Sequence, residues 1–260
     1  MQIISLIILV LVIYFTIKWL LRTKTIAPGS MPVNFKSILL ENVPFYQQLE
    51  TEQQNSFEQR ALHFLAQVTI TGIKTQVEET DRVLIAASAI IPIFNFPGWE
   101  YKNLHEVLLY PDSFDEGFQQ VGEGRNVLGM VGSGAMNHVM ILSQHELRQD
   151  FLNKTGKDNT AIHEFVHLVD KTDGAIDGVP ESILAKKYII PWLQLMQREI
   201  ALIKDQQSDI NPYGATNESE FFAVVSTYFF ERPELFREKH PELFDLMEKI
   251  FRPFPHTTTA

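Results

Sequence analysis

The chain has 260 residues, including 22 basic and 32 acidic residues but no cysteine. The absence of cysteine excludes disulfides and thiolate metal ligands, so any metal site must use histidine and carboxylate side chains. The formal net charge of −10 disfavours binding to nucleic acid, because phosphates repel an acidic surface.

Residues 1–24 are predicted to form one transmembrane anchor. No charged side chain occurs before Lys18, and residues 3–21 would span about 28 Å as a helix, close to the hydrocarbon thickness of a bilayer. Lys18, Arg22 and Lys24 follow the apolar stretch, whereas a cleaved signal peptide carries its positive charge before a shorter apolar core. By the positive-inside tendency, we expect a single-pass membrane protein whose following domain is cytoplasmic.

The rest of the chain is predicted to form one domain. Residues 25–35 contain proline and glycine and are predicted to be a linker. Residues 36–256 are long enough for one globular domain with its own core, and residues 257–260 are predicted to be a disordered tail. Without the three basic residues of the anchor, 19 basic residues face 32 acidic ones, a net charge of −13. We therefore expect no nucleic-acid partner.

Hydrophobic spacing and capping residues predict a mainly helical α+β domain with a small sheet. The predicted helices cover residues 54–67, 79–93, 159–170, 180–204, 217–230 and 241–250, and the predicted strands cover 68–77, 105–110 and 139–142. Between Gly122 and Gly134 there are five glycines, which predict a mobile loop beside a cleft. The apolar run Val139–Leu142 has two interpretations, an edge strand open to an extended peptide or a buried interior strand.

The segment from His163 to His167, with the sequence His-Glu-Phe-Val-His, carries the most specific chemical signal in the chain. Residues four apart lie one turn apart on the same helix face, so both imidazoles can bind one metal ion. Glu164 would lie beside the open coordination position, where it can take a proton from water. The helix is otherwise apolar, so burying these groups would be costly without a metal. The pattern favours a metal site over a solvated helix with two incidental histidines.

A third ligand must come from elsewhere. Asp170 lies one turn beyond the second histidine, too far along a straight helix to reach the same ion. It is interpreted either as a carboxylate that orients a histidine or as an ordinary helix-terminal residue. The segment 217–220 offers two glutamates in the first turn of a helix, where acidic residues are favoured in any case. Asn217 and Glu220 also fit a capping box, and spacing alone does not choose between Glu218 and Glu220.

These motifs resemble those of the Mlc titration factor A (MtfA-like) zinc peptidases, a family distantly related to lethal factor-type peptidases. Val166 stands where that family usually has alanine, and Thr227 where its second signature more often has glutamate. The likeness spans residues 36–250 and is carried by His163–Asp170, Asp173–Pro180 and Tyr213–Val224, with further segments at Phe96–Trp99 and Glu106–Pro111.

The resemblance implies a zincin-like metallopeptidase domain that binds Zn²⁺ through His163, His167 and Glu220. It implies Glu164 as the general base, which accepts a proton from the attacking water and delivers it to the leaving amine. It also implies that the Tyr213 hydroxyl stabilises the oxyanion; from the residues alone, the alternative is a loop aromatic that covers the core.

The leading expectation is a membrane-anchored zinc metallopeptidase that hydrolyses peptide bonds in peptides or unfolded protein segments. The resemblance implies an aminopeptidase-like preference for N-terminal residues. The alternative is a regulatory binding module that sequesters a transcriptional repressor, with proteolysis secondary or absent. Glu164 favours the enzyme, because a binding module has no need of a base beside two histidines. The sequence makes no prediction of the oligomeric state.

Overall fold

The computed structural model describes residues 33–115, 117, 119–120, 127–132 and 136–252. The predicted anchor, most of the predicted linker and the predicted tail lie outside these residues. Within them, no helix combines the length and the apolar character that a membrane crossing requires.

The described residues combine helices with one small sheet, which confirms the predicted α+β class. The α-helices are α1 (Phe35–Asn42), α2 (Pro44–Gln47), α3 (Thr51–Gln67), α4 (Glu79–Ile93), α5 (Gln144–Leu152), α6 (Thr160–Asp170), α7 (Ile189–Lys204), α8 (Glu218–Glu231), α9 (Pro233–Lys239) and α10 (Pro241–Phe251). The strands are β1 (Thr69–Gly72), β2 (Glu106–Tyr110), β3 (Gly129–Val131) and β4 (Val139–Ser143).

The sheet has the strand order β1-β2-β4-β3. The first three strands of this order are parallel, and β3 runs antiparallel to β4 with Gly129 opposite Leu142. The apolar run Val139–Leu142 is therefore an interior strand, and the interpretation of it as an edge strand is wrong. Met140, Ile141 and Leu142 are all buried, as expected of a strand covered on both faces. The edge at this side of the sheet is β3.

Helix α6 is fixed in place by the hydrophobic core. It packs against α4, α8 and β3, and α4 is itself buried along nearly its whole length. The Phe165 ring of α6 lies 5.6 Å from the ring of Phe64 and 5.1 Å from that of Tyr101, measured between centroids. Aromatic contacts of this kind stabilise a fixed orientation. The apolar faces of α6 thus determine where its polar side chains lie.

Two of the segments that differ from the sequence-based expectations show why they differ. The predicted helix 180–204 begins only at Ile189, because residues 180–185 form turns in which the backbone N–H groups of Ile183 and Leu184 both donate to the Pro180 carbonyl. Buried apolar residues in those turns mimic helical spacing. Helix α5 was not predicted; Ser143 caps it by accepting a hydrogen bond from the Glu146 N–H at 3.1 Å.

Candidate metal and catalytic site

The histidine-bearing helix α6 starts and stops at defined residues. The side chain of Asn159 caps its first turn by accepting a hydrogen bond from the Ile162 N–H at 3.1 Å, as a preferred N-cap residue does. After Asp170 the chain makes a single 3₁₀ turn and reaches Gly174, whose φ of 104° lies in the left-handed region that glycine adopts readily. Helix α6 therefore has 11 residues, with the five-residue motif at its centre.

Three donor atoms from α6 and α8 converge at one point. His163 Nε2 lies 2.9 Å from Glu220 Oε2 and 3.0 Å from His167 Nε2, and His167 Nε2 lies 3.4 Å from Glu220 Oε2. The three side chains are only 14%, 11% and 16% exposed for His163, His167 and Glu220. Helix α6 thus supplies two imidazoles and the first turn of α8 supplies the carboxylate.

The close approach of these side chains shifts the pKa values of Glu220 and His167. Burial alone would raise the pKa of Glu220, but hydrogen bonds from His163 and His167 outweigh it and lower that pKa to about 2. Burial opposes protonation of His167, whereas the hydrogen bond to Glu220 raises its pKa above the ordinary value. The Glu220 carboxylate is therefore an anion held against two imidazoles.

The donor set fits a divalent metal with an open coordination position. Two imidazole nitrogens and one carboxylate oxygen are a frequent set in catalytic zinc sites. Ligands at about 2.0–2.1 Å in a tetrahedron lie about 3.3–3.4 Å from one another, so the donor triangle would need to widen by only a few tenths of an ångström. In the described part of the chain, His163, His167 and Glu220 are the residues whose ligand atoms group in this way.

Glu164 is hidden beside this triangle and packs against the edge strand. It is 6% exposed, and burial raises its pKa. A Cβ atom added at Gly129 would lie 2.7 Å from Glu164 Cγ and 2.9 Å from Glu164 Oε1, closer than real Cβ contacts allow. Gly129 is a site residue that the sequence does not single out, because it is one of the five glycines in the stretch that predicts a mobile loop. A glycine inside a short apolar run is the available signal of such a close approach.

Tyr213 lies at the rim of the site. It belongs to a 3₁₀ turn, Pro212–Ala215, and its ring centroid lies 6.0 Å from that of His163. The residue is 54% exposed. Partial burial, followed by the charges of Glu220 and Glu164, raises its pKa, so its hydroxyl keeps its proton and remains a hydrogen-bond donor. Tyr213 is thus a rim residue and not an aromatic that covers the core.

The other acidic candidates have different surroundings. Asp170 Oδ2 accepts a hydrogen bond from the Gly178 N–H at 2.8 Å. Among the described residues, Asp170 Oδ1 and His167 Nδ1 are both buried without a hydrogen-bond partner, so the expectation that Asp170 orients a histidine by a direct hydrogen bond is wrong. Its carboxylate stabilises the turn at Gly178 instead. Glu218 is exposed and lies outside the donor group.

A cleft of about 570 Å³ opens over the site. Strand β3 borders it on one side, and the turn that carries Tyr213 borders it on another. Its floor contains His163, Glu164 and Glu220, and it continues along α8 past Val224 and Thr227 to the start of α6. The cleft is thus large enough for one or two side chains of a bound peptide.

Comparisons with known proteins identify the family to which this chain is similar. Residues 17–252 match the family described as Glucose-regulated metallo-peptidase M90. An uncharacterized protein of Synechocystis sp. is 29% identical over 243 residues, which cover 88% of this chain and 87% of that protein. Mlc titration factor A of Cronobacter sakazakii is 30% identical over 216 residues, covering 78% of this chain and 80% of that protein. Mlc titration factor A of Escherichia fergusonii is 28% identical with the same coverage, 78% and 80%.

Proposed function

Since this chain belongs to the glucose-regulated metallo-peptidase M90 family, we propose that it is a zinc-dependent peptidase in which Glu164 is the general base. The observation that supports this most strongly is the convergence of ligand atoms from His163, His167 and Glu220 within 4.8 Å of one another. These three residues would hold Zn²⁺. When bound, the ion would supply Lewis acidity, which activates water and polarises the peptide carbonyl.

The protein's own groups then handle the protons and the developing charge. Glu164 accepts a proton from the attacking water and delivers it to the leaving amine, and its burial makes it a stronger base than an exposed carboxylate. The Tyr213 hydroxyl, protonated and at the rim of the cleft, donates a hydrogen bond to the oxyanion of the tetrahedral intermediate. One donor of this kind is worth about 3–4 kcal/mol of transition-state stabilisation.

The edge strand β3 supports a peptide substrate. The Leu128 carbonyl and the Gly132 N–H are bonded to β4, so by the alternation of an antiparallel ladder the backbone groups of Gly129 and Val131 face away from it. The Val131 N–H already donates to the Glu164 carboxylate, so an extended peptide would pair with the other outward groups of this edge, those of Gly129 and the Val131 carbonyl. Such a peptide would lie directly beside Glu164, since Gly129 contacts that side chain.

The test is zinc-dependent turnover of peptides. The full chain would be incubated with a library of peptides that have either free or acetylated N termini, before and after removal of metal with a chelator and again after zinc is added back. Hydrolysis that is lost and restored supports the proposal, and a requirement for a free N terminus supports the aminopeptidase-like form. Bound zinc in equimolar amount with no turnover on any peptide would contradict it.

A second candidate function comes from the relatives' names. Proteins called Mlc titration factor A are named for titration of Mlc, which supports a role in which this chain binds a transcriptional regulator and proteolysis is secondary. Incubation of the regulator with the zinc-loaded parent chain and with the Glu164→Gln variant distinguishes the two functions, because a binding module captures the regulator intact in both cases, whereas a peptidase cleaves it with the parent chain alone.

The anchor and the location are part of the proposal. We propose that residues 1–24 cross a membrane once and that the peptidase domain is cytoplasmic, on the basis of the uncharged run before Lys18 and the basic residues that begin with it. Cell fractionation of the full chain and of a chain that starts at residue 25 tests the anchor. Equal recovery of both chains in the soluble fraction would contradict it.

A further inference from the structure

The Tyr213 side chain contacts the His163 ring and the Glu220 carboxylate, but neither contact fixes the backbone of the turn that carries it. Its side chain is about half exposed, and the turn that carries it has only four residues. Because the proposed mechanism needs its hydroxyl at a defined distance from the reacting carbonyl, the backbone of the preceding segment, residues 205–211, must be held by other groups.

Asp209 holds that segment. Its carboxylate accepts hydrogen bonds from Lys157 Nζ at 2.5 Å, from the Tyr228 hydroxyl at 3.0 Å and from His240 Nε2 at 2.6 Å, and it pairs with Lys239 Nζ at 3.0 Å. Burial opposes the charge of this carboxylate, but the hydrogen bonds outweigh it and lower its pKa. Four donors from three separate parts of the fold therefore fix one acceptor, more than a surface ion pair provides.

Two links connect this segment to the start of α6. Lys157 Nζ also donates to the backbone carbonyl of Asp209 at 2.9 Å, and Asn211 Nδ2 donates to Asp158 Oδ2 at 3.1 Å. Lys157 and Asp158 directly precede Asn159, the N-cap residue of α6. The segment before Tyr213 is thus tied to the helix that carries His163 and Glu164.

Asn211 connects the segment 205–211 to the turn that carries Tyr213. Its side-chain oxygen accepts a hydrogen bond from the Tyr213 N–H at 3.0 Å, and its carbonyl accepts one from the Gly214 N–H at 3.0 Å. The backbone of Tyr213 is therefore bonded to a residue that is itself bonded to the start of α6.

We infer that Asp209 is a positioning residue, which acts through Lys157 and Asn211 to fix the Tyr213 hydroxyl over the site without touching the substrate. This inference rests on the proposed function. A misplacement of about 1 Å far from the chemistry can cost about a hundredfold in rate, so a partial loosening of the segment is expected to cost about tenfold in kcat.

The kinetic test is a double-mutant cycle with Tyr213→Phe. We expect Asp209→Asn to lower kcat by about tenfold with KM nearly unchanged, and to have less than about a twofold effect when Tyr213→Phe is already present. Lys157→Met, which leaves the other three donors to Asp209 in place, is expected to show the same pattern with a smaller loss. Equal losses with and without Tyr213→Phe would show a general structural role and overturn the inference.

The matched control is Asp205→Asn. Asp205 lies in the same segment, is exposed, and its side chain makes no hydrogen bond or ion pair with the part of the chain that the structure describes. It is expected to leave kcat unchanged in both backgrounds.

A second readout does not depend on activity. In the metal-free full chain, Asp209→Asn is expected to accelerate hydrogen exchange at the Tyr213 and Gly214 amides by at least about tenfold relative to Asp205→Asn. Unchanged exchange at these amides would overturn the positioning role. If instead the parent chain hydrolyses no peptide with zinc, the proposed function fails, while the exchange measurement still decides whether Asp209 fixes the turn.

Discussion

Asn159 caps the histidine-bearing helix α6 and also donates a hydrogen bond to Glu231 Oε1 at 3.0 Å. Close by, Asp150 Oδ2 accepts a hydrogen bond from the Thr160 N–H at 2.7 Å. Burial raises the pKa of both carboxyls to about 7, and the charge of Asp150 adds to the shift of Glu231. The start of α6 thus contacts two carboxyl groups that stay protonated up to about pH 7.

This pair predicts a loss of stability as the pH rises. The folded pKa of about 7 lies above the ordinary values of 3.8 and 4.5, so the folded chain holds protons that the unfolded chain releases. The contribution of these two carboxyls to the free energy of unfolding is complete below about pH 4 and is lost as the pH rises through about 7. The double variant Asp150→Asn, Glu231→Gln keeps both acceptor oxygens and should reduce the fall in unfolding free energy between pH 5 and 8 by about 1–2 kcal/mol.

The measurement is urea denaturation at several pH values. Asp245→Asn is the control, because Asp245 is exposed and its carboxylate makes no hydrogen bond or ion pair among the described residues. Parallel pH profiles for the parent and the double variant would refute the prediction.

Gly129→Ala should impair catalysis without removing the metal. The added methyl group would overlap Glu164 and displace the base, so we expect kcat/KM to fall by about 10- to 100-fold with an unchanged zinc content. Gly117→Ala is the control, since its Cβ would meet only Asp115 at 3.3 Å. Full activity of Gly129→Ala would show that the close approach does not matter.

Tyr213→Phe should lower kcat by about a hundredfold and leave KM nearly unchanged. The change removes a hydrogen bond made only in the transition state, and the ring contact with His163 is retained. Tyr188→Phe is the control, because Tyr188 does not line the cleft. A rise in KM with normal kcat would assign Tyr213 to substrate binding instead.

Glu164→Gln should abolish hydrolysis while the chain still binds zinc in equimolar amount. The amide keeps the shape of the side chain but accepts no proton in the relevant pH range. Metal analysis and a turnover assay on the same preparation test this. Hydrolysis at the parent rate would refute the role of Glu164.

Glu220→Gln and Glu218→Gln should differ in metal content. The Glu220 carboxylate contacts the imidazoles of both histidines. Its amide variant is therefore expected to lose zinc affinity by more than about tenfold. Glu218 is exposed outside the donor group, and its variant should bind zinc as the parent does. Competition with a fluorescent zinc chelator gives both affinities, and weakened binding by Glu218→Gln alone would reverse the assignment.

Much of the site could be predicted because its signals are local. Helix α6 begins at Thr160 and ends at Asp170, one residue from the predicted range at its start, since both its cap and its stop lie in the adjacent sequence. The choice between Glu218 and Glu220 could not be made from spacing. Both stand in the first turn of α8, and the rotation of that helix is set by packing against the core.

The edge strand was the main feature that sequence could not supply. Strand β3 has three residues, one of them glycine, too few for alternation to be recognised. Its pairing with β4 depends on a hairpin whose register is set by tertiary contacts. Only the three-dimensional structure shows that β3 is the edge strand and that β4 lies inside the sheet. The close approach of Gly129 to Glu164 is likewise visible only there.

The three donor atoms belong to two helices whose residues lie 57 positions apart in sequence, as His163 and Glu220 show. A captured ion would therefore clamp α6 to α8, and its binding energy would add to the resistance of the fold to heat by mass action. Melting temperatures recorded across a zinc titration would then show how far the site is occupied. They would give the dissociation constant for zinc before any substrate is known.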